Sequence, residues 1–180
     1  MGRAVSPRYP EERDQEPAQW VQAEVVEAWT TSLLGALASH AVHAGAGGDL
    51  VVQAQLTPMT WPGLRCWPEP DSSAKMQPPP LAITEARMIG GVREEVRVTA
   101  SRRLSAPTRA VITVSLTVTV DDRDLIGAAA GIVADLLGEF AVSTPRLLRS
   151  DGTVDAAATE DPTTFLIGWA QSRGLLLDNT

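Results

Sequence analysis

The sequence is poor in the residues that staple, ligate or catalyse. Its 180 residues contain one cysteine, Cys66, so no disulfide can close within the chain and a disulfide scaffold is excluded. Histidine is limited to His40 and His43, and lysine to Lys75, against fourteen arginines. No stretch approaches the ~18 uninterrupted apolar residues that a membrane-spanning helix requires. Aromatic residues make up only 4%. Met1 to Trp20 is polar, charged and proline-bearing, without the apolar segment of a secretory signal. The expected setting is therefore reducing and intracellular, either cytoplasmic or, for a phage-encoded chain, virion-associated.

What is present is an acidic, moderately apolar chain: 44% hydrophobic residues, a net charge of −7 and a pI near 4.8. That length buries a real core. Residues 1–16 read as a polar arm, 17–142 as an α+β core, and 143–180 as a hairpin-helix extension of it.

Pro17 opens a helical pattern that runs to about Ala44 and ends at Gly45, Gly47 and Gly48. Val26, Trp29, Leu33, Leu37, His40 and Ala44 recur at steps of three and four, an apolar stripe expected to seat on a sheet. Four alternating segments follow. In Asp49–Thr57, Leu50, Val52, Ala54 and Leu56 point one way. Leu81–Ile89 loses its phase near Thr84–Ala86, which predicts a bulge. Gly90-Gly91 signals a hairpin, after which Val92–Leu104 and Arg109–Val120 alternate again. The expected architecture is a four-stranded antiparallel meander, with the long helix and a second one packed on its apolar face.

Asp121-Asp122 caps that second helix, which runs through Leu125–Phe140. Its large residues form one arc. Gly127, Gly131, Ala134 and Gly138 form a small-residue shoulder suited to close approach of another backbone, and Asp124, Asp135 and Glu139 an acidic edge. Further on, Asp151-Gly152 predicts a turn between Arg146–Arg149 and Thr153–Ala156. Asp161-Pro162 opens a last helix, and Leu175-Leu176-Leu177 is too apolar to dangle.

Candidate chemistry is sparse. His40 and His43 have the spacing to share a metal, but no third ligand stands at a motif distance. Cys66 sits beside Arg65, yet no base adjoins it in sequence. The Asp121-Asp122-Asp124 trio lacks the glycine and distal glutamate of a calcium loop. Gly45-Ala46-Gly47-Gly48 leads from a helix into a strand, the reverse of a phosphate cradle. No catalytic residue, metal or cofactor is therefore assigned.

Binding residues are easier to find. Arg93, Arg97, Arg103 and Arg109 share outward parity on the predicted sheet, in a stretch whose six arginines outweigh two glutamates. Such a face suits the acidic helix edge of a neighbouring copy, a heterologous contact that builds rings or filaments. Residues 58–80 hold seven of the 13 prolines together with Trp61 and Trp67, and read as a binding loop or arm.

The lead expectation is thus a non-enzymatic protein that associates with its own copies or with a protein partner. The alternative is a ligand-binding or enzymatic domain whose helix–sheet pocket is lidded by residues 58–80 and lined by His40, Trp29 or Trp61. Nucleic-acid binding through the arginines comes third, disfavoured by the net charge and by the lack of outward aromatic stacking platforms.

The arginine-for-lysine bias with abundant Ala, Val and Gly resembles the composition of a high-GC genome, such as an actinobacterium or its phage. The order helix, meander, helix is similar to ring-forming tail-terminator and connector proteins of phages, which implies a component of a phage-like or other macromolecular assembly. It is similar also to cone-shaped small-ligand domains. The stretch from Phe165 to Gly174 resembles the opening of the DNA-binding helix in actinobacterial nucleoid proteins of the Lsr-two type. The Arg-Gly-Arg that enters the minor groove there is replaced here by Leu175, Leu176 and Leu177, so that function is not carried over.

Overall fold

In the computed structural model, the described residues are 18–58, 80–90, 92–97, 102, 104–116, 121–142, 144–158 and 165–177. Strand β1 (Gln19–Gln22) leads directly into helix α1 (Ala23–His43), so the helix begins later than Pro17. Residues 19–22 are drawn into an extended conformation by a parallel ladder with strand β3 (Leu81–Ile89), opening with Gln19 N–H to the Pro80 carbonyl at 2.9 Å. At its far end α1 closes as the glycines predict. Gly45 takes φ +74°, while Ala46 N–H reaches the Ala41 carbonyl and Gly45 N–H that of Val42.

Strand β2 (Gly48–Leu56) pairs antiparallel with β5 (Thr108–Leu116), whereas β3 pairs with β4 (Val92–Arg97). The described strands therefore form two sheets, β1-β3-β4 and β2-β5, rather than one four-stranded meander. The α+β class and the Gly90-Gly91 hairpin hold, with Ile89 opposite Val92 at its tip. The pairing of β2 with β3 and of β4 with β5 does not appear among the described residues. Alternation sets which face of a strand is apolar, but not which strand lies beside it. Here β2 and β5 match over nine residues with their apolar faces in register, Leu50 opposite Val114, Val52 opposite Ile112 and Ala54 opposite Ala110.

The ladder from β3 to β4 is continuous, with no bulge. The lost alternation in β3 has a different cause. Leu81 to Glu85 are all buried, because β3 lies between β1 and β4 and is covered on both faces.

Helix α2 (Asp122–Gly138) forms the centre of the core, with α1 beside it and β5 and β2 across it. Asp121 caps it by accepting from Arg123 N–H at 2.9 Å. Its buried arc is the predicted one: Leu125, Ile126, Ile132, Val133, Leu136 and Leu137, with Phe140 fully buried just beyond. The chain leaves α2 through Ala141 at φ +63°, with Val142 N–H bonded to the Leu137 carbonyl.

The predicted Asp151-Gly152 turn joins Leu148 to Val154. Gly152 stands at φ +81°, and a Cβ there would lie 2.5 Å from the Arg123 carbonyl oxygen. Helix α3 (Phe165–Ser172) follows, and Leu176 then pairs in parallel with Val154, anchoring the apolar tail.

Candidate interaction surface

Helix α1 decides what this structure can do. Its inward face carries Ala23, Glu24, Val26, Glu27, Ala28, Thr31, Leu34 and Ala38, mostly small side chains. Small residues let α2 come close: a Cβ on Gly35 would already touch Leu125 at 3.4 Å. The expected stripe of large residues faces the other way. Of it only Val26 is buried, while Trp29 is 62% exposed, Leu33 56% and Leu37 49%, with Val25 beside them. His40 and Ala44 are exposed as well.

The reason lies in two carboxylates that sequence reasoning passed over. Glu27 is fully buried and accepts from three successive backbone N–H groups, Arg146 at 2.9 Å, Leu147 at 2.7 Å and Leu148 at 2.8 Å. Burial pushes its carboxyl from 4.5 up to about 7, against the lowering effect of those three donors. One turn earlier, Glu24 accepts from Arg146 Nη1 at 2.6 Å, and Glu85 Oε2 lies 3.9 Å from the same nitrogen. Glu24 and Glu27 thus clamp the segment before the 151–152 turn onto α1. This fixes the helix's rotation and turns Trp29, Leu33 and Leu37 outward. The available signal was that these are the only acidic or basic residues in α1 besides its histidines.

Beside the exposed stripe runs β2. A groove of about 290 Å³ separates the two, walled by Trp29, Leu33 and Leu37 on one side and Val52, Ala54 and Leu56 on the other. Helix and strand bring to it no charged side chain between Val25 and His43 other than the buried Glu27, and none from Leu50 to Leu56. Among the described strands β2 pairs only with β5, and none of them lies along its second edge.

A second, more polar cleft of about 520 Å³ lies between α1, the start of α2 and α3. Trp169 and Phe165 face His43, Asp122 and Arg173 across it. Arg173 is paired with Asp122 at 3.3 Å, and His43 donates from Nδ1 to the Ser39 carbonyl at 2.8 Å.

Compared with family models, with curated proteins and with solved structures, the chain matches none. The surface must be read from its own chemistry.

The residues predicted from sequence are dispersed. Arg93 and Arg97 stand on β4 and Arg109, exposed, on β5, so they belong to different sheets and not to one arginine face. Their expected companion Arg103 lies outside the described residues, as do Trp61 and Trp67. Asp124, Asp135 and Glu139 are exposed on α2, as expected. The small-residue shoulder is in part occupied by this chain itself. A Cβ on Gly127 would meet the Ser150 carbonyl oxygen at 3.1 Å, and one on Gly131 would meet Ile112 at 3.5 Å. Ala134 is half-buried, and Gly138 is exposed with open space around it. Among the described residues no group of three His, Cys, Asp or Glu is placed to hold a metal, and no helix is long and apolar enough to cross a membrane.

Proposed function

We propose that this chain is a non-enzymatic binding and assembly protein that works by associating through the α1–β2 surface. One observation carries the reading: the outward face of a 21-residue helix is lined by Val25, Trp29, Leu33 and Leu37 and bears no acidic or basic residue before His40 in its last turn. A surface helix ordinarily turns its charged residues outward. A contiguous apolar patch of this kind marks a contact site, and tryptophan is enriched among the residues that dominate such contacts. The site sits on rigid elements, with α1 rotationally locked by Glu27. Its acidic neighbours on α2 lend solubility without intruding on it. A place in a phage-like or other macromolecular assembly is the sharpest form of the reading.

The test is a photo-crosslinking residue introduced at Leu33 in the full chain, expressed in its source cell. The expected result is a discrete protein adduct from position 33 and none from position 135 on α2. Equal, diffuse labelling from both positions would refute the reading, whatever the partner.

The polar cleft supports a second reading, a small-ligand site. Trp169 and Phe165 offer aromatic surface, the Arg173 guanidinium offers donors, and the His43 Nε2 edge offers an acceptor. If so, an anionic aromatic ligand would quench Trp169 fluorescence in the wild type and not in Arg173→Ala.

A further inference from the structure

The partner of the α1–β2 surface follows from the geometry of β2. Among the described strands the sheet β2-β5 is two strands wide, and so narrow a ribbon relies on the helical layer that covers it. It lies across α2, and the second edge of β2 points towards α1. Natural edge strands are guarded by charge, proline, bulges or brevity. This one is nine residues long, pairs without a bulge, and is uncharged and proline-free from Leu50 to Leu56. A strand added on that edge would extend the sheet over Trp29, Leu33 and Leu37, which are otherwise left bare.

We propose that the added strand is β2 of a second copy, paired antiparallel about a twofold axis at Gln53. The proposal rests on the association reading above and names its partner. In that register Leu50 lies opposite the partner's Leu56, Val52 opposite the partner's Ala54, and Val51 opposite the partner's Gln55. Every pair is uncharged, and each joins residues of the same face, as an antiparallel ladder demands. Shifting the register by two residues would carry Pro58, which has no N–H to give, or Gly48 into the ladder. The product is a four-stranded sheet in the order β5-β2-β2-β5, with each copy's edge lying on the other's α1.

Charge selects a second copy over an unrelated acidic or basic partner. Two chains of net charge −7 repel through most approaches, including the α2 edge that bears Asp124, Asp135 and Glu139. Through α1 and β2 they meet without opposing like charges, Asp49 being four residues from the axis on each copy. The size is adequate as well. A 21-residue helix and a nine-residue strand are each about 30 Å long. Side by side they offer a strip of roughly 600 Å² in projection, comparable with the ~800 Å² per partner of a standard stable interface.

The test is a charge swap at the axis, read by sedimentation equilibrium on the full chain. Gln53 is exposed, so Lys or Glu there is compatible with the fold, checked by unchanged circular dichroism and thermal midpoint. The wild type should be a concentration-dependent dimer. Gln53→Lys and Gln53→Glu should each weaken dimerisation by about tenfold or more, because like charges face each other across the axis. Mixing the two variants should restore dimers of mixed composition, which only a twofold contact at residue 53 produces. A wild type that stays monomeric to its solubility limit overturns the proposal, as does a dimer indifferent to both substitutions. Crosslinking from Leu33 to a different protein alongside a monomeric wild type would defeat the second-copy proposal and leave the association reading standing. Failure of both experiments would defeat both.

Discussion

Glu27 makes folding stability fall as pH rises through the neutral range, and the effect can be isolated. The carboxyl is fully buried, and its folded-state pKa is raised to about 7 from 4.5. Between those values the native state holds a proton that the unfolded chain has released. Stability from this group is thus complete below the unfolded value and is lost as pH rises through the folded one. A rise of that size corresponds to about 3 kcal/mol, at about 1.4 kcal/mol per pH unit. Other carboxylates titrate over part of this range, so the informative quantity is a difference. Glu27→Gln removes the titration. It also sets an amide N–H₂ against at least one of the backbone donors of Arg146, Leu147 and Leu148, at a cost of about 1–3 kcal/mol. Urea unfolding followed by tryptophan fluorescence, at intervals from pH 4.5 to 8, gives both curves; the Gln53→Lys background keeps association out of the comparison. The wild-type advantage over Glu27→Gln should be largest at acidic pH and shrink by about 3 kcal/mol towards pH 8. Parallel curves would show that Glu27 is not the titrating group, and that the three N–H donors hold it ionised throughout.

Other substitutions probe the same framework. Gly152→Ala should cost about 4 kcal/mol or more in urea unfolding, since it combines a positive φ with a Cβ 2.5 Å from the Arg123 carbonyl oxygen. Ala141→Gly should stabilise by about 0.5–1 kcal/mol by relieving the left-handed conformation at the end of α2, with a matching rise in thermal midpoint. Arg146→Ala should destabilise by about 3 kcal/mol, because it removes the cation from between the buried Glu24 and Glu85 while leaving the Glu27 clamp in place. Leu33→Glu should leave the stability of the isolated chain within about 0.5 kcal/mol of the wild type, its side chain being more than half exposed, while lowering association in sedimentation.

Local patterns in this chain were legible where one short-range rule decides. The Gly45 stop, the Asp121 cap, the Gly90-Gly91 hairpin and the Asp151-Gly152 turn each depend on a few neighbouring residues, and each appears where the sequence places it. The apolar parity of β2 and of β5 through Leu116 was equally legible. Strand partnership was not. It depends on which apolar faces meet across the core, and the match of β2 with β5 spans some sixty residues of chain. β1 was hidden by the helical pattern that continues from it, and its extended form is imposed by the ladder to β3. The Glu27 clamp was illegible for the same reason, since its donors lie about 120 residues away. A glutamate on a helix reads as solvated until the segment that satisfies it is in place.

The rotation of α1 ties these points to function. By size, Trp29, Leu33 and Leu37 are the residues a helix would bury first, at roughly 1.5–3 kcal/mol for each leucine fully removed from water. The folded chain instead buries Ala23, Val26, Ala28, Thr31, Leu34, Ala38 and two glutamates. The sequence pattern showed an apolar stripe but not which face is buried: two faces of α1 compete for burial, and the one expected to seat on the sheet is exposed apart from Val26. The cost of that choice is offset in part, because Glu27 is met by three N–H groups and the small side chains bring α2 close enough to fill the space. Among the described strands the β2-β5 ribbon is too narrow to cover the large face, which the proposed association would cover instead. A helix whose best apolar stripe faces outward, beside an unguarded strand edge, has the composition of a core divided between molecules. On this view the charges placed at Gln53 and Leu33 act on that shared core and not on the fold of either copy.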